Sequence, residues 1–418
     1  MASQMVISDI KARRIFNSRG EETIEVEVKT LGGFGRAAAP AGKSKGVHEV
    51  VAFPENDVKK AVERVYSTIK PKIVGLDASN QELIDKTLHE IDGTDNFSFI
   101  GGNTAYAISL AVAEAAASTS KQPLFYWLKR FKETFLPLPL GNVLGGGKHA
   151  GKGTPDIQEF LVLPTGAKTF FEAYHTNIKV HKKIGELLEK NVPAFTGGRG
   201  DEGAWAPPLK NEDALKIVSE AAEKVTNETG VKVRVGLDVA SSSLWDSKLK
   251  CYKYVGEDKL KDQGEQIEYI LELIRKFNLA YVEDPLHEED FEGFAELTRK
   301  AKNCLICGDD LFVTNKDRLK IGINIKAANS LIVKPNQVGT LTDTYETVKL
   351  AKSAGYIPVL SHRSGETVDT HLAHLSIAFS CPIIKTGVIG GERIAKLNEL
   401  IRIEEMFAEE ISIAKLNI

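Results

Sequence analysis

The chain has 418 residues, of which 42% are hydrophobic and 27% charged, and its formal net charge is −3 at pH 7. This length exceeds a single typical core and predicts two domains, one of them of barrel size. The small net charge gives no support to a nucleic-acid-binding or membrane-surface role. Four cysteines are too few for a disulfide framework. Without an apolar signal segment at the N-terminus, we expect a cytoplasmic protein.

The first predicted elements form a small antiparallel meander. Residues 22–30 alternate apolar and charged side chains, which is typical of a strand with one solvated face, and residues 5–14 and the segment up to Ala39 complete it. Residues 39–49 are rich in glycine and small polar side chains, which predicts a mobile surface loop. The GKS within this loop does not make a phosphate-binding motif, because Ala37 stands where that motif requires glycine.

Residues 56–128 are predicted to be helical, with a buried alanine-rich helix at 103–118. We therefore expect an N-terminal α+β domain over residues 1–130. A second domain is expected over 136–418, with the boundary near the turn-like PLPLG segment at 137–141.

Three polar segments open the second domain. In the glycine-rich segment 141–153, Gly153 replaces the hydroxyl residue of a nucleotide-binding loop, so we expect a turn that exposes His149. Gln158 and Glu159 stand at the start of a strand-like run. The long Gly/Pro loop at 197–208 carries Glu202 and is too poor in packing residues to serve structure alone.

Short apolar runs from residue 231 to 387 each end in a polar residue, and helical patterns separate them. Continuous runs of this kind predict parallel strands buried on both faces, whose carboxyl ends meet at one ligand site. From Glu283 onward these residues recur at intervals of 23 to 28, whereas the 45-residue interval after Asp238 leaves room for an additional excursion. The residues are Asp238, Glu283, Asp309, Lys334, His362 with Arg363, and Lys385.

Asp238, Glu283 and Asp309 together suit a hard divalent cation, Mg²⁺ before Zn²⁺. The alternative is that they form salt bridges with Lys334 and Lys385. Beside a metal site, these two lysines would lower each other's pKa, and a neutral lysine could remove a proton next to a carboxylate.

Two further features complete the predicted chemistry. Glu202 is a candidate acid for a leaving hydroxyl group. Arg363 and Ser364, placed before a helix predicted to begin near Glu366, would form an anion site. Lysine bases combined with Mg²⁺ are typical of enolase-superfamily chemistry.

The chain resembles the enolase family along nearly its whole length. The motifs that carry the resemblance are GKSKGVHE (42–49), DGTDNFSFIGGN (92–103), KHAGKGTPDIQEF (148–160), GDEGAWAP (200–207), GLDVASS (236–242), VEDP (282–285), GDDLFVTN (308–315), VKPNQVGTLTD (333–343), SHRSGETVDT (361–370) and IKTG (384–387).

The resemblance implies an α/β fold: a (β/α)8 barrel of modified strand order, with an early antiparallel strand, capped by the N-terminal α+β domain. It implies the Mg²⁺-dependent interconversion of 2-phosphoglycerate and phosphoenolpyruvate in glycolysis and gluconeogenesis. It also implies a homo-oligomer, a dimer or an octamer.

The resemblance further implies roles for individual residues. Lys334 would be the base for the C2 proton and Glu202 the acid for the C3 hydroxyl. Two Mg²⁺ ions are expected, one held by Asp238, Glu283 and Asp309, and the other joined by Ser44. Substrate binding would use His149, Gln158, Glu159, His362, Arg363, Ser364 and Lys385.

Five positions depart from the family's usual pattern: Asn17, Ala41, Lys43, Lys45 and Gly145. The changes in the 39–49 loop bear on loop closure and on the second metal ion. Two other functions remain open from sequence. One is a racemase or dehydratase of the same superfamily, against which the Arg363–Ser364 pair and the Ser44 loop argue. The other is a binding or scaffold role, although the chain does not end in lysine.

Overall fold

The computed structural model describes residues 2–43 and 46–416. Its N-terminal part is an antiparallel sheet of order β1-β2-β3 covered by helices, which confirms the predicted meander. The strands are β1 (Ile7–Phe16), β2 (Glu22–Thr30) and β3 (Phe34–Ala38). The helices are α1 (Val58–Arg64), α2 (Lys70–Ile73), α3 (Gln81–Asp92), α4 (Gly102–Thr119) and α5 (Leu124–Leu128).

Helix α4 packs directly on the sheet because both surfaces carry small residues. A Cβ atom added at Gly35 of β3 would lie 2.1 Å from the carbonyl oxygen of Ala111 in α4. A side chain at this position would therefore push the helix away. The alanines of α4 are buried on all sides, as the sequence predicted for residues 103–118.

The larger part of the chain contains a closed barrel and a small three-stranded sheet. The barrel strands in chain order are β4 (Leu138–Gly145), β5 (Glu159–Leu163), β6 (Arg234–Asp238), β10 (Tyr281–Glu283), β11 (Leu305–Gly308), β12 (Ser330–Val333), β13 (Ile357–Ser361) and β14 (Ile383–Gly387). The small sheet, inserted between β6 and β10, consists of β7 (Trp245–Asp246), β8 (Cys251–Tyr254) and β9 (Lys259–Lys261).

Strand β5 runs antiparallel to both of its neighbours, β4 and β6, and the other neighbouring barrel strands are parallel. This confirms the predicted barrel of modified order with an early antiparallel strand. The small sheet fills the long interval between Asp238 and Glu283. One apolar cluster packs together side chains from most of the barrel strands, including Leu140, Leu161, Tyr281, Ile332, Val359 and Ile383.

The remaining helices lie between the barrel strands or follow the last of them. They are α6 (Gly147–Ala150), α7 (Phe170–Asn191), α8 (Asn211–Thr229), α9 (Gln263–Phe277), α10 (Phe291–Lys300), α11 (Lys316–Ile325), α12 (Leu341–Ser353), α13 (His371–Ala378) and α14 (Gly391–Met406). In the described part of the chain, no helix combines the length and apolar character needed to cross a bilayer.

Helix α13 begins later than the sequence pattern predicts. Lys396 of α14 donates hydrogen bonds to the carbonyl oxygens of Thr367 and Asp369, at 2.8 and 2.9 Å. These carbonyls are therefore engaged outside a helical turn, and Val368 is exposed rather than packed. The prediction of a helix starting near Glu366 is wrong. Residues 363 and 364 lie in a loop instead of at a helix N-terminus.

Candidate active site

The polar residues predicted at strand ends meet at one end of the barrel. Strand pairing places Asp238 of β6 opposite Glu159 of β5 on one side and Glu283 of β10 on the other. Because β5 is antiparallel, its first residue lies at the same barrel end as the last residues of its neighbours. The cavity here is lined by Gly42, Lys43, His149, Gln158, Glu159, Glu202, Asp238, Asp309, Lys334, Ser361, His362, Arg363, Ser364 and Lys385.

Lys385 gathers the three paired carboxylates. Its Nζ atom lies 2.9 Å from Asp238 Oδ2, 2.8 Å from both carboxylate oxygens of Glu283 and 3.3 Å from Glu159 Oε2. The Tyr281 hydroxyl donates a further hydrogen bond of 2.7 Å to Glu283 Oε2. All four charged side chains are buried. We call Glu159, Asp238, Glu283 and Lys385 the strand-borne group.

Burial governs the protonation of this group. It raises the pKa of Glu283 well above its usual range, and the charge of Asp238 raises it further. Burial lowers the pKa of Lys385, but the surrounding carboxylates outweigh it and hold that pKa well above the ordinary value. When all three carboxylates are ionised, their charge exceeds that of the one ammonium, so an additional cation would favour their ionised forms.

Lys334 follows β12 and forms an ion pair with Asp309 Oδ2. Gln337 donates a hydrogen bond of 3.1 Å to the other oxygen of Asp309. Burial lowers the pKa of Lys334, but the charge of Asp309 outweighs it, so the pKa is raised. Lys385 and Arg363 lower the pKa of Lys334, as expected from the sequence, but they do not outweigh Asp309, so the net shift is upward. The salt bridges weighed as an alternative from the sequence are present.

The carboxylates also form two groups able to hold a metal ion. In the described part of the chain, two sets of three side chains have ligand atoms within 4.8 Å of one another: His149, Glu159 and Glu202; and Asp284, Asp309 and Asp310. The predicted trio of Asp238, Glu283 and Asp309 is divided between the two lysines instead of forming such a set. Ser44, predicted for a second ion, lies outside the described residues.

Glu202 lies in the loop between α7 and α8 and also lines the cavity. His362 Nε2 is 3.2 Å from Glu202 Oε1, and His149 Nδ1 is 3.7 Å from the same oxygen and 3.3 Å from Glu159 Oε1. Asn142 of β4 donates a hydrogen bond of 3.0 Å to Glu202 Oε2. His149 is buried in α6, so the prediction of an exposed turn is wrong.

The pKa values of Glu202 and of the buried side chains near it are shifted in different directions. Burial lowers the pKa of His362 to about 4, so this imidazole is neutral at pH 7. Burial also lowers the pKa of His149, but the negative charge of Glu202 outweighs it and raises that pKa. Burial and the charge of Glu202 raise the pKa of Glu159. Burial raises the pKa of Glu202, but its interactions with His362 and His149 and the charge of Arg393 outweigh burial and hold that pKa well below the usual range.

Arg363 and Ser364 follow β13 and meet the segment 39–49. The Arg363 guanidinium donates to both carboxylate oxygens of Glu49, at 2.9 and 3.0 Å, and to Asn336 Oδ1 at 2.9 Å. The Ser364 hydroxyl accepts hydrogen bonds from the Lys43 amide at 2.8 Å and from Arg19 at 3.0 Å. We call Glu202, His362, Arg363 and Ser364 the loop-borne group.

Several contributing residues escaped the sequence analysis. Asp284 accepts the backbone amides of Asp309 and Asp310 at 2.9 and 2.8 Å, so it shapes the loop that carries Asp309. The position of Asp284 next to Glu283 in the VEDP motif is a sequence signal that could have identified it as a site residue. Glu49, Asn142, Asn336 and Arg393 reach the site from distant segments. No regular spacing in the sequence identifies these four residues as part of the site.

Comparisons with known proteins agree with this architecture. Residues 7–128 match the family model described as the N-terminal domain of enolase, and residues 133–417 match the C-terminal TIM barrel domain of enolase. Curated relatives named enolase include those of Methanothermobacter thermautotrophicus (55% identical, covering 96% of this chain and 97% of the relative), Methanosphaera stadtmanae (56%, 96% and 97%) and Pyrobaculum aerophilum (46%, 99% and 100%). The chain therefore belongs to the enolase family and is a lyase of the phosphopyruvate hydratase class.

Proposed function

We propose that this protein interconverts 2-phosphoglycerate and phosphoenolpyruvate with Mg²⁺ as cofactor, in glycolysis and gluconeogenesis. The observation that carries the proposal is the convergence of the partly buried Lys334, the buried Lys385, the acidic residues around them and two histidines at one barrel end. Removing the proton at C2 requires a base on one side of the substrate. Expelling the hydroxyl at C3 requires an acid on another.

Asp238, Glu283 and Asp309 are proposed to hold one Mg²⁺, and Ser44 to join a second ion. The donor set fits, because carboxylate oxygens are the ligands that Mg²⁺ prefers. The geometry supports the fit, since Asp238 and Glu283 converge on Lys385 and the charge of Asp309 also acts on Glu283. When bound, the ions would supply positive charge that stabilises the enediolate and offsets the carboxylates beside the lysines.

Lys334 is proposed as the base that removes the C2 proton. Burial, Arg363 and Lys385 all lower its pKa, whereas Asp309 is the largest influence that raises it. Any reduction of the effective charge of Asp309 therefore moves Lys334 toward the neutral amine that the reaction needs. Lys385 remains protonated among its carboxylates and is proposed to bind the carboxylate side of the substrate.

Glu202 is proposed as the acid for the leaving hydroxyl. It faces Glu159 across His149, so these three side chains can share a proton within a buried space. The phosphate and carboxylate of the substrate bring negative charge toward Glu202. That charge raises its pKa from the low value of the free site and favours the protonated form.

Arg363 and Ser364 are proposed to bind the substrate phosphate, and His149, Gln158, Glu159 and His362 to complete the pocket. A buried guanidinium offers paired donors that match phosphate oxygens. The Arg363 guanidinium already donates hydrogen bonds to both carboxylate oxygens of Glu49. A phosphate site separates this function from a racemase or dehydratase acting on unphosphorylated acids.

The test is a comparison of 2-phosphoglycerate with glycerate as substrates, while Mg²⁺ is titrated. Formation of phosphoenolpyruvate is followed by its ultraviolet absorbance. We expect turnover only of the phosphorylated acid, and only with a divalent cation present. Turnover of glycerate, or none of 2-phosphoglycerate at any Mg²⁺ concentration, contradicts the proposal.

We also propose that the protein is a cytoplasmic homo-oligomer, a dimer or an octamer. Static light scattering of the purified protein across a concentration series tests the assembly. A mass equal to that of a single 45.7 kDa chain at all concentrations would contradict it.

A further inference from the structure

Arg393 occupies an unusual position for a buried cation. It is the third residue of α14, with no exposed surface, close to the positive end of the helix dipole. Its nearest carboxylate is that of the adjacent Glu392, 3.4 Å from Nε. A positive charge placed here is costly. The hydrogen-bond acceptors around the guanidinium must therefore offset the cost of burying this charge.

Three of those acceptors belong to the loop after β13, and a longer contact of 3.5 Å reaches the carbonyl oxygen of Asp201. The guanidinium donates to the carbonyl oxygens of Arg363 and Ser364, each at 2.6 Å, and to His362 Nδ1 at 2.8 Å. A guanidinium has five N–H donors and no acceptor. His362 Nδ1 must therefore offer its lone pair, which leaves the proton of the neutral imidazole on Nε2.

The other ring nitrogen faces the acid of the proposed reaction. His362 Nε2 is buried and lies 3.2 Å from Glu202 Oε1, although off the line of an ideal hydrogen bond. Contacts of this kind commonly tighten when substrate binds. A proton on Nδ1 instead would meet an N–H of Arg393 at 2.8 Å, donor against donor. Both the opposite tautomer and the imidazolium ion are therefore disfavoured.

We propose that Arg393 is a positioning residue that locks His362 in its Nε2–H tautomer and so keeps an N–H group facing Glu202. The role in catalysis rests on the function proposed above, but the tautomer does not. The charged groups that act on His362 are Glu202, Arg393 and Glu366, of which Arg393 alone favours the neutral ring. The same guanidinium fixes the backbone of Arg363 and Ser364, so one side chain orders much of the loop-borne group.

Nitrogen-15 NMR of the histidine rings tests the tautomer directly in the full chain. The His362 signals are assigned by their loss in His362→Gln. We expect an unprotonated Nδ1 and a protonated Nε2 throughout the neutral pH range. In Arg393→Lys we expect a mixture of tautomers, because one ammonium cannot reproduce the planar fork. A wild-type proton on Nδ1, or an unchanged Nε2–H tautomer in Arg393→Lys, overturns the proposal.

Lys396 supplies the matched control. It is also a buried cation of α14, but its Nζ binds the carbonyls of Thr367 and Asp369 and the carboxylate of Glu366 instead of an imidazole. We expect Lys396→Arg to leave the His362 ring signals as in wild type. If Lys396→Arg and Arg393→Lys change those signals alike, the effect is general loosening of the loop and the proposal fails.

Kinetics separate the proposal from the function on which it rests. We expect Arg393→Lys to slow dehydration on the order of tenfold, part of the effect of a general acid, while exchange of the C2 hydrogen continues. Equal loss of exchange and dehydration overturns the positioning role. If the wild-type protein itself forms no phosphoenolpyruvate, the proposed function fails. The tautomer assignment is then tested by the NMR result alone.

Discussion

The strand-borne and loop-borne groups reach the same cavity by different physical means. Glu159, Asp238 and Glu283 lie side by side because the strand register places them there, and Lys385 arrives on the last barrel strand. Glu202 and the residues after β13 are held by side chains from elsewhere, such as Asn142 and Arg393. Backbone pairing therefore fixes one half of the site, and individual hydrogen bonds fix the other.

The largest effect on folding is expected in the strand-borne group. Lys385→Met leaves three buried carboxylates without their shared ammonium, and breaking such a pair costs about 3–5 kcal/mol. Denaturant unfolding without Mg²⁺ measures the loss, and we expect added Mg²⁺ to recover much of it. Lys396→Met is the control, since it also removes a buried cation. A gain from Mg²⁺ of equal size in both variants would contradict a cation site at these carboxylates.

A pH-dependent effect of similar size is expected behind the loop-borne group. His371 lies between Asp369, whose carboxylate accepts the Ala38 amide, and Glu114 of α4. Burial lowers its pKa, but these carboxylates raise it from 6.5 to about 9. The stabilisation, at most about 3 kcal/mol, is full below the unfolded pKa and is lost as pH rises toward 9.

The measurement for this interaction is the difference in unfolding free energy between wild type and His371→Gln as a function of pH. We expect the wild-type advantage to shrink between about pH 6.5 and 9. An advantage that stays constant, or grows with pH, would show that His371 is not a buried imidazolium.

A smaller effect is expected at the phosphate end of the loop-borne group. Arg363→Lys keeps the charge but loses the paired donors that now bind Glu49 and Asn336. We expect the KM for 2-phosphoglycerate to rise about 10- to 100-fold with little change in stability. Steady-state kinetics measure this. Arg275→Lys, at an exposed position in the last turn of α9, serves as control. An unchanged KM in Arg363→Lys would remove this residue from phosphate binding.

The smallest effect is expected at the cavity entrance. Lys43 Nζ lies 3.0 Å from Asp201 Oδ2, and both side chains are partly exposed. Such a pair contributes about 0.2–1 kcal/mol and is screened by salt. A double-mutant cycle with Lys43→Ala and Asp201→Asn, followed through kcat/KM, measures the coupling. A coupling energy well above this range, or one that is insensitive to salt, would contradict the interpretation of Lys43 and Asp201 as an ordinary surface ion pair.

The sequence predicted the strand-borne group well, because its signals are local. A continuous apolar run that ends in a carboxylate marks a buried strand and its end, and repeating units bring those ends together. The meander, the buried helix α4 and the antiparallel strand of the barrel were confirmed on the same basis or through the family resemblance. The domain limits at residues 130 and 136 stay predictions.

The loop-borne group was predicted less well, because its geometry depends on tertiary contacts. Nothing local in the sequence shows that Lys396 holds Thr367 and Asp369 out of a helix, or that Arg393 reaches His362. The net direction of the Lys334 pKa shift could not be predicted either. It depends on the balance between burial and one carboxylate, which spacing along a chain cannot reveal.

The central claim assigns the C2 proton to Lys334 and the C3 hydroxyl to Glu202, and hydrogen exchange tests it most directly. Lys334→Ala and Glu202→Gln are incubated with 2-phosphoglycerate and Mg²⁺ in heavy water, and C2 deuteration and phosphoenolpyruvate are measured together. The account predicts neither product with Lys334→Ala, and deuteration without phosphoenolpyruvate with Glu202→Gln. Deuteration that persists in Lys334→Ala, or both products lost together in Glu202→Gln, would contradict it.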